Sequence, residues 1–176
     1  MAAHGPARSE DAEAQAAVTA LYQVHAVGLI RLAVVMLGDR AAAEDVVQDA
    51  FAGLYRRWDH LSGQDRALGY VRSSVLNGCR TRLRARVRDE RLAAASPPTL
   101  AAASAEQAVL AGEEHAAVLA ALRRLPHRQR EALVLRYYLD LSESETAASM
   151  GIGRGTVKST TFRALAALGR LLKESQ

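Results

Sequence analysis

Pro97 and Pro98 stand side by side in the middle of a run, residues 89–108, built mostly from Ala, Ser and other small or polar residues. Two successive prolines cannot continue a helix, and a segment of this composition has little apolar surface to bury. On either side, residues 15–88 and 109–172 show apolar residues recurring at helical spacing and no strand-like alternation. The chain is therefore predicted to be all-α, with two small helical domains (15–88 and 109–172) joined by a flexible linker (89–108). About 20 extended residues at roughly 3.3 Å each span about 65 Å. That is enough to set the two domains far apart on a larger object; the alternative is a surface loop within one domain.

In the first block, Val18, Leu21, Tyr22, Leu29, Leu32, Ala33, Met36 and Leu37 form one apolar stripe, stopped by Gly38-Asp39. A second helix is predicted over 41–58, with Val47, Phe51, Leu54 and Trp58 inward and Asp45, Gln48, Asp49 and Ala52 on the other side. A third, over 66–88, places Leu68, Val71, Val75 and Leu76 inward. In the second block, Val118, Leu119, Leu122 and Leu125 mark a helix ending before Pro126, and Ala132, Leu133 and Leu135 mark another over 128–139. Ser142 followed by Glu145 is a capping box, starting a short helix to Met150. Gly151-Ile152-Gly153 turns the chain, and a basic helix follows to about Leu172. Short helix, glycine turn and longer basic helix make a helix-turn-helix pattern. Its expected packing residues are Ala147, Met150, Ile152, Val157, Ala164 and Leu165. Arg154, Gly155, Thr156, Ser159, Phe162 and Arg163 face outward, with Lys158 at the boundary.

Charge divides the first block. Residues 72–91 hold seven arginines against Asp89 and Glu90, whereas residues 39–49 hold four acids against Arg40. A basic and an acidic surface in one half suggest partners of opposite charge. The arginine run is either a solvated helix end or a nucleic-acid surface. Asn77 just before it is a candidate base reader, because an amide can pair with the edge of an unstacked base. The acidic stripe is either a solvated face or a partner site that Ala52 lets a helix approach. The helix-turn-helix is either a plain hairpin or a duplex reader whose second helix enters the major groove.

Other classes find little support. The single cysteine, Cys79, excludes an internal disulfide framework. The five histidines show no metal-ligand spacing, and the glycines of 151–155 lack the strand that precedes a phosphate loop. No enzyme, cofactor or metal is expected. The first 20 residues carry Glu10, Asp11 and Glu13 and no signal-like apolar core, and no run is expected to span a membrane. The expected location is cytoplasmic.

Four segments together resemble a known family. Ala43-Glu44-Asp45-Val46-Val47-Gln48-Asp49-Ala50-Phe51 resembles the AEDxVQxxF signature of the RNA polymerase sigma-70 superfamily, in its extracytoplasmic-function group. Gly69-Tyr70-Val71-Arg72 through Asn77 to Arg84 resembles its YLRRxxxNxxxxxxR stretch. Leu125-Pro126 with Gln129-Arg130-Glu131-Ala132 resembles LPxxQREA, and Gly155-Thr156-Val157-Lys158-Ser159 matches GTVKS. The four occur in the family's order, around the linker, over residues 15–172.

The resemblance implies a promoter-specificity subunit with two domains, regions 2 and 4. Asp45, Gln48, Asp49 and Ala52 would bind the clamp helices of the polymerase's largest subunit, and the second domain would lie near its flap. Asn77, with the loop at 59–66, would hold a flipped −10 base while Arg80, Arg82 and Arg84 follow the backbone. Arg154, Thr156, Lys158, Ser159 and Arg163 would read the −35 duplex. An anti-sigma protein is implied as a further partner, with no membrane insertion and no cofactor.

This chain departs from the pattern at three places. Thr160-Thr161 replaces the usual Arg-Leu after GTVKS, Thr146 replaces an Ile, and Phe162 stands where small or polar residues are common. These imply an unusual −35 preference or weak independent −35 binding. The competing readings are a helix-turn-helix regulator acting without polymerase, and a sigma-like module that only titrates a regulator. A simple regulator needs neither the Asp45 stripe nor the Asn77–Arg88 segment.

Overall fold

The computed structural model describes residues 6–61, 63–93 and 113–174. Among these the chain is helical throughout: α1 (Pro6–Leu37), α2 (Arg40–Tyr55), a single 3-10 turn (Trp58–His60), α3 (Gln64–Ala93), α4 (Glu113–Arg124), α5 (His127–Leu133), α6 (Glu143–Met150) and α7 (Arg154–Lys173). α5 runs on into a wider π-helical turn, Val134–Tyr138. Most of the predicted linker, 94–108, lies outside the described residues. Its first residues, 89–93, belong to α3, because nothing between Arg88 and Ala93 breaks a helix.

Local chemistry explains the helix ends. Gly38 takes φ 73, closed to most side chains, and stops α1. Asp39 then accepts a hydrogen bond from the Ala42 amide at 3.0 Å and starts α2. Ser142 and Glu145 form the reciprocal capping box of α6. Gly151 closes that helix in the left-handed region, φ 66.

α1, α2 and α3 pack around Leu29, Leu32, Met36, Val47, Phe51, Leu54, Val71, Val75 and Leu76, all buried. Two expected core positions differ. Leu68 is only half-buried while Ala67 and Cys79 are fully enclosed, so the inward face of α3 is rotated by one residue near its start. Tyr22 is partly exposed, its ring meeting Phe51 edge-on at 5.0 Å between centroids. Residues 11–37 of α1 are long and apolar enough to cross a bilayer by length and composition, contrary to expectation. In this fold one side of that helix is the core of the bundle.

The second half has its own small cluster, Leu125, Leu133 and Ala164 with Leu122, Leu168 and Leu171 around it. Its other side joins the core of the first: Ala132, Val134, Leu135, Leu141 and Met150 pack with residues of α1, α2 and α3. The two helical units are therefore closed on each other here, rather than held apart. Arg130 fastens this closure. Its buried guanidinium donates to the Leu122, Arg123 and Leu125 carbonyls at 2.9, 2.5 and 3.1 Å, capping the end of α4. It also donates to the Met36 carbonyl at the end of α1, at 2.7 Å. One cation thus satisfies the C-terminal carbonyls of helices in both halves.

Candidate nucleic-acid interface

Asp45, Gln48, Asp49 and Ala52 recur at three- and four-residue spacing on α2, and all four are exposed. Their opposite face, Val46, Val47, Ala50, Phe51 and Leu54, is committed to the core. Asp49 has no ion-pair partner among the described residues, whereas Asp45 accepts from Arg82 of α3 at 3.4 Å. Beside Ala52 lies an apolar hollow of about 350 Å³ between α1 and α2, edged by Val18, Tyr22, Phe51 and Tyr55. Sequence reasoning missed it, because it placed Tyr22 in the core.

The arginine end of α3 is less free than expected. Asn77 is exposed, but its side-chain oxygen accepts from Arg80 Nη1 at 2.7 Å. Arg80 also pairs through two nitrogens with Glu131 of α5: Nη2 with Oε1, and Nε with Oε2 at 3.3 Å. The Arg80 side chain is only 11% exposed and that of Glu131 0%. Arg128 approaches Glu131 Oε2 at 3.6 Å. Burial pushes the Glu131 carboxyl above its ordinary range, against the hydrogen bond and charge of Arg80 and the charge of Arg128. Arg84 has no acidic partner among the described residues and lines a second groove with Leu83, Val87, Arg88 and His127. Burial, then Arg128, Arg80, Arg130 and Arg84, lower the pKa of His127.

The helix-turn-helix has the expected form. Arg154, Thr156, Lys158, Ser159 and Arg163 are all exposed on α7, and Val157 and Ala164 are buried. Arg163 donates to the Ser159 carbonyl at 3.1 Å, and Ser159 donates to the Thr156 carbonyl at 3.1 Å. Phe162 is 75% exposed on this face. Leu165, expected inside, is largely exposed; it lies one residue, about 100°, off the Val157–Ala164–Leu168–Leu171 line that packs. The buried hydroxyls of Thr146 and Thr161 lack a hydrogen-bond partner, so both departures from the family pattern put unsatisfied polar atoms inside.

Two family models match the chain: sigma-70 region 2 over residues 21–89 and sigma-70 region 4 over residues 115–168. The RNA polymerase sigma-E factor of Streptomyces avermitilis is 35% identical over 142 residues, covering 80% of this chain and 76% of that one.

This chain is a sigma factor of the sigma-70 family.

The extracytoplasmic-function sigma factor SigL of Mycobacterium tuberculosis is 32% identical over 168 residues, 93% of each chain, which assigns this sigma factor to the same group. Among solved structures, CnrH in complex with the cytosolic domain of CnrY matches at TM-score 0.68 and 26% identity, over 94% of this chain and 96% of that one. The sigma factor RpoE bound to the anti-sigma factor NepR from Bartonella quintana shares the fold, at TM-score 0.69 and 23% identity over 89% of this chain and 98% of that one. The order of its region 2 and region 4 segments is thus that of a sigma factor, a transcription-initiation protein. Cys79 is fully buried, and its thiol is pushed up to about 12, chiefly by burial and then by the Glu131 charge. It has the character of a packing residue.

Proposed function

We propose that this sigma factor carries core polymerase to promoters through three surfaces. Asp45, Gln48, Asp49 and Ala52 bind the clamp helices of the largest subunit. Asn77, Arg80, Arg82 and Arg84 hold the melted −10 strand. Arg154, Thr156, Lys158, Ser159 and Arg163 read the −35 duplex in the major groove, where Arg and Ser pair with base edges and phosphates. The working units are the two halves expected from the sequence, 15–88 and 109–172, the first prolonged by α3 to Ala93. The chain supplies address and melting inside the cell, and the chemistry belongs to the polymerase. A sequestering protein is a further partner, in keeping with the NepR and CnrY complexes of its structural relatives.

The observation that carries this reading is the presence of three charged faces in one sigma-family chain: an acidic stripe on α2, arginines on the end of α3, and an exposed basic start of α7. A simple duplex-binding regulator has use for the third alone. Transcription from a promoter library by core polymerase supplemented with this chain tests it. Promoter-specific transcripts are expected. Asn77→Ala should flatten selection in the −10 region, and Arg163→Ala should do so in the −35 region. Each good base contact is worth about 1–3 kcal/mol of discrimination. Transcripts without sequence preference would contradict the reading.

A further inference from the structure

Three of the four side chains assigned to the −10 strand are held by other parts of this chain. Arg80 pairs with both oxygens of Glu131, Asn77 accepts from the same guanidinium, and Arg82 reaches Asp45. Only Arg84 is free of an acid among the described residues. The grip on Arg80 is the strongest of these, because it is two-pronged and enclosed. The Met150 carbonyl adds an acceptor for Arg80 at 3.4 Å and for Arg128 at 3.3 Å.

A carboxylate and a phosphate offer an arginine fork the same two-oxygen edge. From this geometry we propose that Glu131 acts as an internal phosphate mimic, filling the anion slot of Arg80 so that the second domain and single-stranded DNA compete for one guanidinium. The proposal rests on the −10 role of Arg80 given above. It adds that the free chain is closed to the melted strand, and names the residue that closes it.

Release needs more than a side-chain swing. Glu131 is fully buried, and the same seam contains the Arg130–Met36 bond, the Arg72–Glu145 pair at 4.0 Å and the shared packing of Leu141 and Met150. The second domain must move off α3 as a unit. Any partner that separates the domains therefore uncovers Arg80 beside the already exposed Asn77. Closure engages Arg72 and Arg80 of the arginine helix and leaves Arg84 and Arg88 exposed.

The test measures binding of a fluorescent, mixed-sequence single-stranded DNA to the full-length chain, free and assembled with core polymerase. Glu131→Gln keeps the shape and removes the charge. Arg72→Glu, outside the DNA-binding set, opens the seam by setting like charge against Glu145, and serves if Glu131→Gln loses helical content. Both variants should bind the strand about tenfold more tightly than the wild-type free chain. The gain should vanish when Arg80→Gln is added, and in the polymerase-bound chain wild type and Glu131→Gln should bind alike. Unchanged binding by both free variants, with the polymerase-bound chain binding normally, would overturn the proposal and leave the −10 assignment standing. Absence of binding in free and polymerase-bound forms would overturn both.

Discussion

Val46 of α2 occupies the space in which a side chain on Gly78 of α3 would begin: a Cβ built there would lie 2.8 Å from Val46 Cγ1. The two helices touch at this glycine, one residue from Asn77 and near the Asp45–Arg82 pair. The acidic stripe and the arginine run are neighbours because of it.

Gly78→Ala should therefore cost stability despite alanine's better helix propensity. Overpacking of a tight core costs about 1–3 kcal/mol, against about 1 kcal/mol gained in propensity. A lower midpoint in urea unfolding is expected, with recovery when Val46→Ala is added. An unchanged midpoint would show that the helices can separate freely.

Thr146 and Thr161 should be replaceable with benefit. Each buries a hydroxyl that has no partner, and leaving such a group unpaired costs about 1–3 kcal/mol. Thr146→Val and Thr161→Val keep the shape and remove the penalty. Each should raise the melting temperature; a drop in either would reveal a hydrogen bond to water in solution.

How much of this was legible beforehand follows from the range of each interaction. The capping box at Ser142, the stop at Gly38 and the outward stripe of α2 are set by residues within four positions of each other, and the sequence spells them out. The Arg80–Glu131 pair joins residues 51 apart in sequence, and no local pattern encodes it. The Arg130 clamp was hidden likewise: its motif could be read, but its carbonyl partners on α1 and α4 are placed only by the fold. Leu68 was misread because Ala67, too small to signal a core by hydropathy, occupies the contact line, and Leu165 because the line through Ala164, read as packing, continues to Leu168 and Leu171 instead. The closure of the two halves went unseen because composition fixes the reach of a linker and says nothing of what the linked surfaces prefer.

His127 gives a pH signature. Its pKa lies below 6.5, through burial first and then Arg128, Arg80, Arg130 and Arg84. The unfolded chain therefore takes up a proton that the folded chain refuses, and the stability linked to this residue is full above about pH 6.5 and lost as pH falls below it. Glu131, raised by burial, acts in the opposite sense, so the useful quantity is a difference between two chains. Relative to His127→Gln, the wild type should lose stability between about pH 7.5 and about pH 5.5. A constant difference would place His127 in solvent.

Cys79 should resist thiol reagents in the folded chain, since its thiol, at about 12, is almost wholly protonated at neutral pH and fully buried. Labelling should track unfolding in denaturant. Rapid labelling of the native chain would contradict this packing.

The polymerase surface is the centre of the account. Capture of core RNA polymerase by the tagged wild-type chain, compared with Asp49→Arg and with Asp45→Arg/Asp49→Arg, tests it most directly. Asp49 is exposed and has no internal ion-pair partner among the described residues, so its reversal leaves the fold intact. Capture by the wild type, reduced about tenfold or more by Asp49→Arg and abolished in the double variant, is the predicted result. Equal capture by all three, with native helical content in each, would contradict the assignment of this face to polymerase.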